Sequence, residues 1–533
     1  MLQKKFQEQI LLNIPRVLSL LDKNPYSKSY GCLDRKYWQY KIVDFPSGMH
    51  QELVAPLAYV YSTDFAGNGY YACPRIKEYL SGIFRFHTKS INTDGSLDDY
   101  FPNERALGAT AYALAALVRA YGDLSLQPNT EERQALEKSA HFLVHHKEAG
   151  TLANHHAIAV YALTALAALL DTPRYLETAR EKVAYLQTLQ HADGWFLEYE
   201  GCDLGYQTVT LEFLARAYIA GGVVPWEMLE KLLVFLRGFV HPDGSLGGEY
   251  GSRNTFNFYP GGCALLSHLS SNAAALLGYF EYSLEQGTVN YLEDDGVFGH
   301  GLSSMVTALC ANSVIITPPS VPEFCTPWIR HYVDAGLYRA GVGTLRMYGN
   351  LNKGGCYKVF RGNKLLVSDT GYMGRLKNGD VFCQNTPNNA REVVATNDRR
   401  VASSGLTHKY NNTYLSIVFS IALRLYVLFF GKIPVFSRIL RRIMQTMLIY
   451  KKKTLPVRWS REVILDDTGI TVRDAVRCEN RSIFVELFRT TDAVNLHVVT
   501  SNSFQQSNLF MWERCADTPT DKYEVRHRYE VQP

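Results

Sequence analysis

Four Asp-Gly pairs punctuate the first three hundred residues of this 533-residue chain: Asp94-Gly95, Asp193-Gly194, Asp243-Gly244 and Asp295-Gly296. Their separations are 99, 50 and 52 residues, so one unit recurs, with a mark missing near residue 145. Glycine accepts positive φ and the Asp side chain bonds nearby backbone amides, so each pair reads as a tight turn. A unit of this length fits a helix–turn–helix pair, and the repeat therefore imposes stacked αα-hairpins rather than βαβ units. Closed rings of such hairpins enclose a central cleft, the expected place for a site.

The helical patterns follow the same beat. ERALGATAYALAALVRAYG (104–122) and NHHAIAVYALTALAALL (154–170) carry small apolar residues on most sides, as buried inner helices do. PRYLETAREKVAYLQTLQ (173–190) is amphipathic, with Pro173 where a first helical turn tolerates it. The alternation repeats over 206–222 and 225–240, then 263–287 and 305–315. These segments predict an N-terminal (α/α)5-6 toroid within residues 1–325, with the aromatic-rich stretch 24–61 as its terminal cap.

After a Pro-rich break at 318–324, apolar and polar residues alternate between Gly, Asn and Asp turns, which predicts a C-terminal antiparallel β-sandwich over 335–533. Residues 413–453 break that pattern. They are apolar from Leu415 to Phe430, interrupted by Arg424, and flanked by Lys432, Arg438, Arg441, Arg442 and Lys451–Lys453. The apolar run falls short of the roughly twenty residues a membrane span needs. Two readings stay open: a helical pair lying in a membrane interface, or a hydrophobic insertion packed on the toroid or on a partner chain.

Composition excludes some classes. Hydrophobic residues at 47% and charged residues at 20% describe a globular chain, and a net charge of +4 gives no argument for nucleic acid. Ten cysteines form no CxxC pair and no zinc-like spacing, so no metal is expected and no cofactor is indicated. Met1–Leu21 is amphipathic, without the apolar core of a secretion signal. The expectation is a cytoplasmic protein, peripheral at the membrane through 413–453. Thirty-four tyrosines suit a saccharide partner, since the ring stacks on apolar sugar faces while the hydroxyl bonds sugar hydroxyls.

Three polar clusters fall at one phase of the repeat, where inner helices begin. Asn154-His155-His156 opens one such helix, whose N-terminal dipole favours an anion. The second runs from Asp193-Gly194-Trp195-Phe196 through Glu198 and Tyr199 to Tyr206. The third, Glu249 to Thr255 with Tyr259, offers Tyr250, Arg253 and Asn254 for a carboxylate or sugar hydroxyls.

An Asn-His element opening an inner helix and an Asp-Gly-aromatic loop leading to a Tyr, in a toroid-plus-sandwich frame, resemble the heparinase II/III-like polysaccharide lyases. That resemblance implies β-elimination at a uronate in an acidic polysaccharide or lipid-linked glycan. It implies Asn154, with His155 or His156, as carboxylate neutraliser and helper, Tyr206 as the proton-transfer residue, Arg253 as a carboxylate contact and His408 as a contact from the sandwich. The family often shows Tyr-His where this chain has Tyr206-Gln207. A weaker resemblance links YLQTLQHADGWF (185–196) and FLRGFVHPDGSL (235–246) to terpene cyclase and prenyltransferase toroids, whose acids would be Asp98-Asp99 and Asp294-Asp295. A non-catalytic glycan-binding or polysaccharide-assembly protein at the membrane surface is the other alternative.

Overall fold

The computed structural model describes residues 2–146, 152–288, 292, 296–320, 324–397, 399–410, 416–446, 452–479, 482–496, 512–516 and 519–531. The helices are α1 (Leu2–Leu20), α2 (Arg35–Trp38), α3 (Val54–Ser62, preceded by a 3-10 turn, Met49–Leu53), α4 (Pro74–Ser90), α5 (Leu107–Asp123), α6 (Thr130–His145) and α7 (Ala153–Leu170). They continue as α8 (Arg174–Leu189), α9 (Leu204–Gly221), α10 (Trp226–Phe239), α11 (Gly261–Leu266), α12 (Ser271–Gln286) and α13 (Phe298–Leu309).

Inner helices α3, α5, α7, α9, α11 and α13 pack in that order, and α13 returns to α3 and its 3-10 turn. Outer helices α4, α6, α8, α10 and α12 back the ring, and α1 fills the sixth outer place against α13. Six hairpins therefore close an (α/α) toroid. A closed ring has no end to cap, so residues 24–61 supply the entry to inner helix α3 instead of a terminal cap. The sequence pattern also merged α11 and α12. Ser270 separates them, its hydroxyl accepting from the amides of Asn272 and Ala273 as an N-cap.

The Asp-Gly turns explain the period. Gly95, Gly194 and Gly244 all have positive φ, and each lies in the turn that carries an outer helix into the next inner one. A Cβ at these positions would meet the backbone carbonyl oxygen of Lys138, Lys231 or Tyr279 within 2.2, 2.2 or 2.6 Å. Those carbonyls belong to the following outer helix in every case, so each turn seats one hairpin on the next. The missing mark falls mainly within 147–151, and Asp294-Asp295 with it, outside the described residues.

The second half contains β1 (Phe324–Tyr332), β2 (Leu337–Gly343), β3 (Leu345–Asn350), β4 (Tyr357–Arg361) and β5 (Lys364–Asp369), an antiparallel sheet in chain order. The larger sheet is built from β6 (Gly371–Leu376), β7 (Val381–Cys383), β8 (Ala390–Asn397), β9 (Arg400–Lys409), β10 (Thr454–Asp466), β11 (Gly469–Cys478), β12 (Phe484–Thr490), β13 (Trp512–Arg514) and β14 (Lys522–Glu530). Its order is β13-β12-β6-β7-β9-β10-β11-β14, with β8 paired to β9. Tyr338, Met347 and Val359 of the first sheet pack on Val401, Val463 and Val472 of the second. Between β9 and β10 the chain leaves the sheet to form the helical hairpin α14 (Ile417–Phe430) and α15 (Pro434–Gln445).

A buried charge cluster ties the sandwich together. Arg461, 1% exposed, lies 2.7 Å from Asp474 and 3.0 Å from Asp369, and Arg489 lies 2.6 Å from Asp369. Burial alone would push the Asp369 carboxyl up, but the two guanidiniums hold it well below the usual carboxylate range. Removing one partner leaves uncompensated buried charge, so Arg461→Met is expected to cost about 3–5 kcal/mol in chemical denaturation. A loss under about 1 kcal/mol would mean that the cluster is better solvated than its geometry implies.

Candidate active site at the inner-helix entries

Every inner helix is entered from the same end of the ring, and contacts between neighbouring entries run around it. The amide of Gly48, before α3, donates to Asp98 O before α5 at 2.7 Å. His155 in the first turn of α7 packs over Gly108 in the first turn of α5. Leu152, before α7, forms an isolated bridge with Glu198, before α9. Asp203, before α9, accepts from the Arg253 amide at 2.9 Å in the loop before α11. His300 of α13 meets Glu52, before α3, at 2.6 Å and closes the circuit. Helix N-termini carry partial positive charge, so this arrangement collects six of them at one mouth, which favours an anionic ligand.

Asn154 and Glu198 form the centre of one wall. Asn154 Nδ2 donates to Glu198 Oε1 at 2.7 Å, and both side chains are fully buried. Asn154 Oδ1 and Glu198 Oε2 have no intramolecular hydrogen-bond partner. Burial pushes the Glu198 carboxyl up to about 8, against the lowering pull of Asn154 and Arg253. At neutral pH it is therefore a protonated acid, able to donate a hydrogen bond as well as accept one. Arg253 lays its guanidinium over the Tyr199 ring, 4.4 Å from the centroid, and its buried Nε also lacks a partner.

Backbone architecture fixes this wall. Asp203 caps α9 by accepting from Tyr206 N at 3.2 Å, and its other oxygen takes the amides of Arg253 and Thr255. Ser252 N donates to Cys202 O, and Ser252 Oγ to Glu198 O. Gln207 pairs both ways with the backbone of Phe196, at 2.8 Å each. The amide standing where an imidazole was expected thus holds the turn into α9. From the sandwich, Lys353 Nζ donates to the carbonyls of Glu249 and Gly251 at 2.7 and 2.6 Å, and Lys358 pairs with Glu249 at 2.9 Å.

The sequence candidates separate accordingly. Asn154 bonds Glu198, which Arg253 reaches electrostatically from over the Tyr199 ring, while His155 packs between α5 and α7 and Tyr206 lies within electrostatic reach of Tyr112 of α5. His156 points outward and meets Tyr185 of outer helix α8 edge-on at 4.9 Å. Trp195 and Phe196 are core. Tyr250 is 1% exposed, with its hydroxyl 2.7 Å from His241 Nε2, which places it inside the loop's anchor. Asn254 is buried with φ 61°, at the turn that presents Arg253. Tyr259 is buried beside His300, 6.4 Å between rings. His408 stands in β9 near Lys452, which bonds Glu200 at 2.7 Å in the loop before α9. Burial, with Lys452 and Arg391 nearby, lowers the His408 imidazole to about 4.

A second group of residues carries no local sequence signature. His300 stacks on Tyr112 of α5 at 4.0 Å while Glu52 holds its Nδ1, and Tyr206, Tyr259 and Glu52 all act electrostatically on the Tyr112 hydroxyl. Glu52 and His300 are 248 residues apart, so no local motif joins them. The repeat phase does point to His300, because it opens the inner helix that follows Asp295-Gly296. Among the described residues no group of three or more His, Cys, Asp or Glu is arranged to hold a metal ion.

Comparison with solved structures places this architecture. A xanthan lyase from Paenibacillus superposes over 91% of this chain with TM-score 0.54 at 10% identity. A chondroitin AC lyase from Streptomyces coelicolor A3, solved in complex with chondroitin sulphate, superposes over 92% with TM-score 0.53 at 12% identity. The chain has a polysaccharide-lyase fold. It spans 46% of that xanthan lyase and 68% of that chondroitin lyase. A heparinase III structure aligns over 91% of the chain with TM-score 0.45 and 12% identity. No protein-family model and no curated protein sequence matches the chain. The toroid followed by antiparallel sheets, expected from the sequence, is the lyase architecture observed.

Glu198 makes the wall pH-sensitive. Its folded pKa lies above that of an unfolded Glu, so the unfolded chain loses this proton first and stability falls as pH rises between about 4.5 and about 8. Glu198→Gln removes that component. Its melting temperature relative to wild type is expected to rise steadily across this window, whereas parallel melting profiles would show that Glu198 titrates normally.

Proposed function

We propose that this chain is a lyase cleaving an acidic glycan by β-elimination next to a uronate. The observation that carries the proposal is the set of buried, unpartnered polar atoms on Asn154, Glu198 and Arg253 where inner helices begin. Buried polar atoms are normally paired, so the two that can donate, Arg253 Nε and the protonated Glu198 Oε2, suit a ligand carboxylate, while Asn154 Oδ1 suits a sugar hydroxyl. Arg253 and the helix ends offset the carboxylate's charge, while the protonated Glu198 donates a hydrogen bond to its oxygens. This acidifies the neighbouring C5 proton. A base removes that proton, the C4–O bond breaks, a C4–C5 double bond forms, and the departing oxygen takes up a proton. Tyr206 is assigned the proton transfer, and the His300–Glu52 pair, stacked on the Tyr112 that Tyr206 also reaches, is a second proton-handling group.

The substrate class is an anionic polysaccharide or the glycan of a lipid-linked saccharide, acted on in the cytoplasm. The test is incubation with a panel of uronate polymers, following the ultraviolet absorbance of the unsaturated uronate product. Tyr206→Phe is expected to lower the rate by about 10²–10⁴-fold, and Asn154→Ala to do likewise through lost stabilisation of the developing charge. No unsaturated product from the wild type across the panel would sink the reading. Glycan binding without product would favour the non-catalytic alternative.

A further inference from the structure

The hairpin α14–α15 takes no part in the proposed chemistry, yet among the described residues it gathers the largest group of exposed large hydrophobic side chains. In α14 only Val427 is buried, while Val418 is 77% exposed and both Leu428 and Phe429 are 69% exposed. Val418, Ile421, Leu425, Leu428 and Phe429 recur at steps of three and four, which aligns them along one face. In α15, Val435, Ile439 and Ile443 continue an exposed apolar stripe, with the exposed Arg438 and Arg442 at its margin.

The other side of the hairpin is fastened to the toroid. Ser437 Oγ donates to Asn103 O, Arg105 donates to Lys432 O at 3.0 Å, and Arg424 pairs with Asp44 at 2.7 Å. Arg441, one turn beyond Ser437, acts electrostatically on the buried Glu104. The loop gripped here, residues 98–105, borders the site, since Tyr100 lies within electrostatic reach of Tyr199 and Arg253. One face is thus pinned at the cleft rim and the opposite face is bare.

Charge selects the occupant. Over residues 416–446 the hairpin has no acidic residue and five basic ones, Arg424, Lys432, Arg438, Arg441 and Arg442. An apolar stripe margined by cations alone matches lipid headgroups of negative charge over an acyl boundary. Length excludes spanning: α14 rises about 21 Å, against a hydrocarbon core of about 30 Å. The one described helix long and apolar enough to cross a membrane, Ala153–Leu170, is an inner helix of the ring, 78% buried.

We propose that the α14–α15 face lies in the headgroup region of an anionic bilayer and holds the cleft rim at the membrane surface. A saccharide anchored by lipid at one end then reaches Arg253 and Tyr206 without leaving that surface. This consequence rests on the lyase reading; the bilayer contact does not.

Flotation of the full chain with vesicles tests the contact, comparing phosphatidylcholine alone with phosphatidylcholine containing phosphatidylglycerol. Wild type is expected to float with the anionic vesicles. An Ile421→Glu/Phe429→Glu variant, altered only at exposed positions, is expected to stay at the bottom with an unchanged melting temperature. Arg438→Ser/Arg442→Ser is expected to lower the partition coefficient about 30-fold on anionic vesicles and little on neutral ones. The proposal is overturned if wild type floats with neither vesicle, or if the Glu variant floats as well as wild type. A wild-type dimer that becomes monomeric in the Glu variant, without flotation, would assign the face to a second copy instead. Formation of unsaturated product from a soluble uronate polymer stays intact in both variants, so failure here is distinguishable from failure of the lyase reading.

Discussion

Asp203 is the interaction on which the site depends. One buried carboxylate caps α9 and at the same time takes the amides of Arg253 and Thr255 from the next loop. Without it, the start of α9 and the loop before α11 would have no shared reference, and Arg253 would lose its position over Tyr199. Burial pushes its carboxyl up, while the three backbone donors pull it back, so the clamp is made of hydrogen bonds in a dry setting. The sandwich completes the clamp from outside, because Lys353 holds the carbonyls of Glu249 and Gly251. The β half thereby fixes the loop that presents Arg253.

The toroid was legible because its period is enforced by a backbone collision. Only glycine with positive φ fits where a turn meets the next outer helix, so the Asp-Gly marks survive as a readable beat. The β half was legible through alternation, and the hairpin through its failure to alternate. The α11–α12 break was hidden, since no Gly or Pro marks the polar stretch Ser267 to Asn272 and the cap at Ser270 depends on local geometry. The closing helix α1 was hidden for another reason: its partner α13 lies at the far end of the repeat array.

The candidate site was legible only where repeat phase gathers its residues. Asn154, Tyr206 and Arg253 sit at one repeat phase, and periodicity alone could gather them. His156 could not be told from His155 by phase, because a one-residue step turns a helical side chain by about 100° and sends it toward the outer layer. The Asn154–Glu198 bond and the His300–Glu52 pair each join separate hairpins, so only ring closure reveals them. Gln207 looked like a missing catalytic group and is a backbone tie.

Ring closure by the first helix has a consequence for synthesis. Phe6, Ile10, Ile14 and Val17 of α1 are buried in the finished ring, against elements that include α13, some three hundred residues later in the chain. At roughly 5–20 residues per second on the ribosome, that face waits on the order of 15–60 s for its partner. The nascent chain must keep an apolar helix from aggregating throughout that interval. A polypeptide released before α13 emerges would hold five hairpins and an unsealed seam, making it a natural client for chaperones that shield exposed helices.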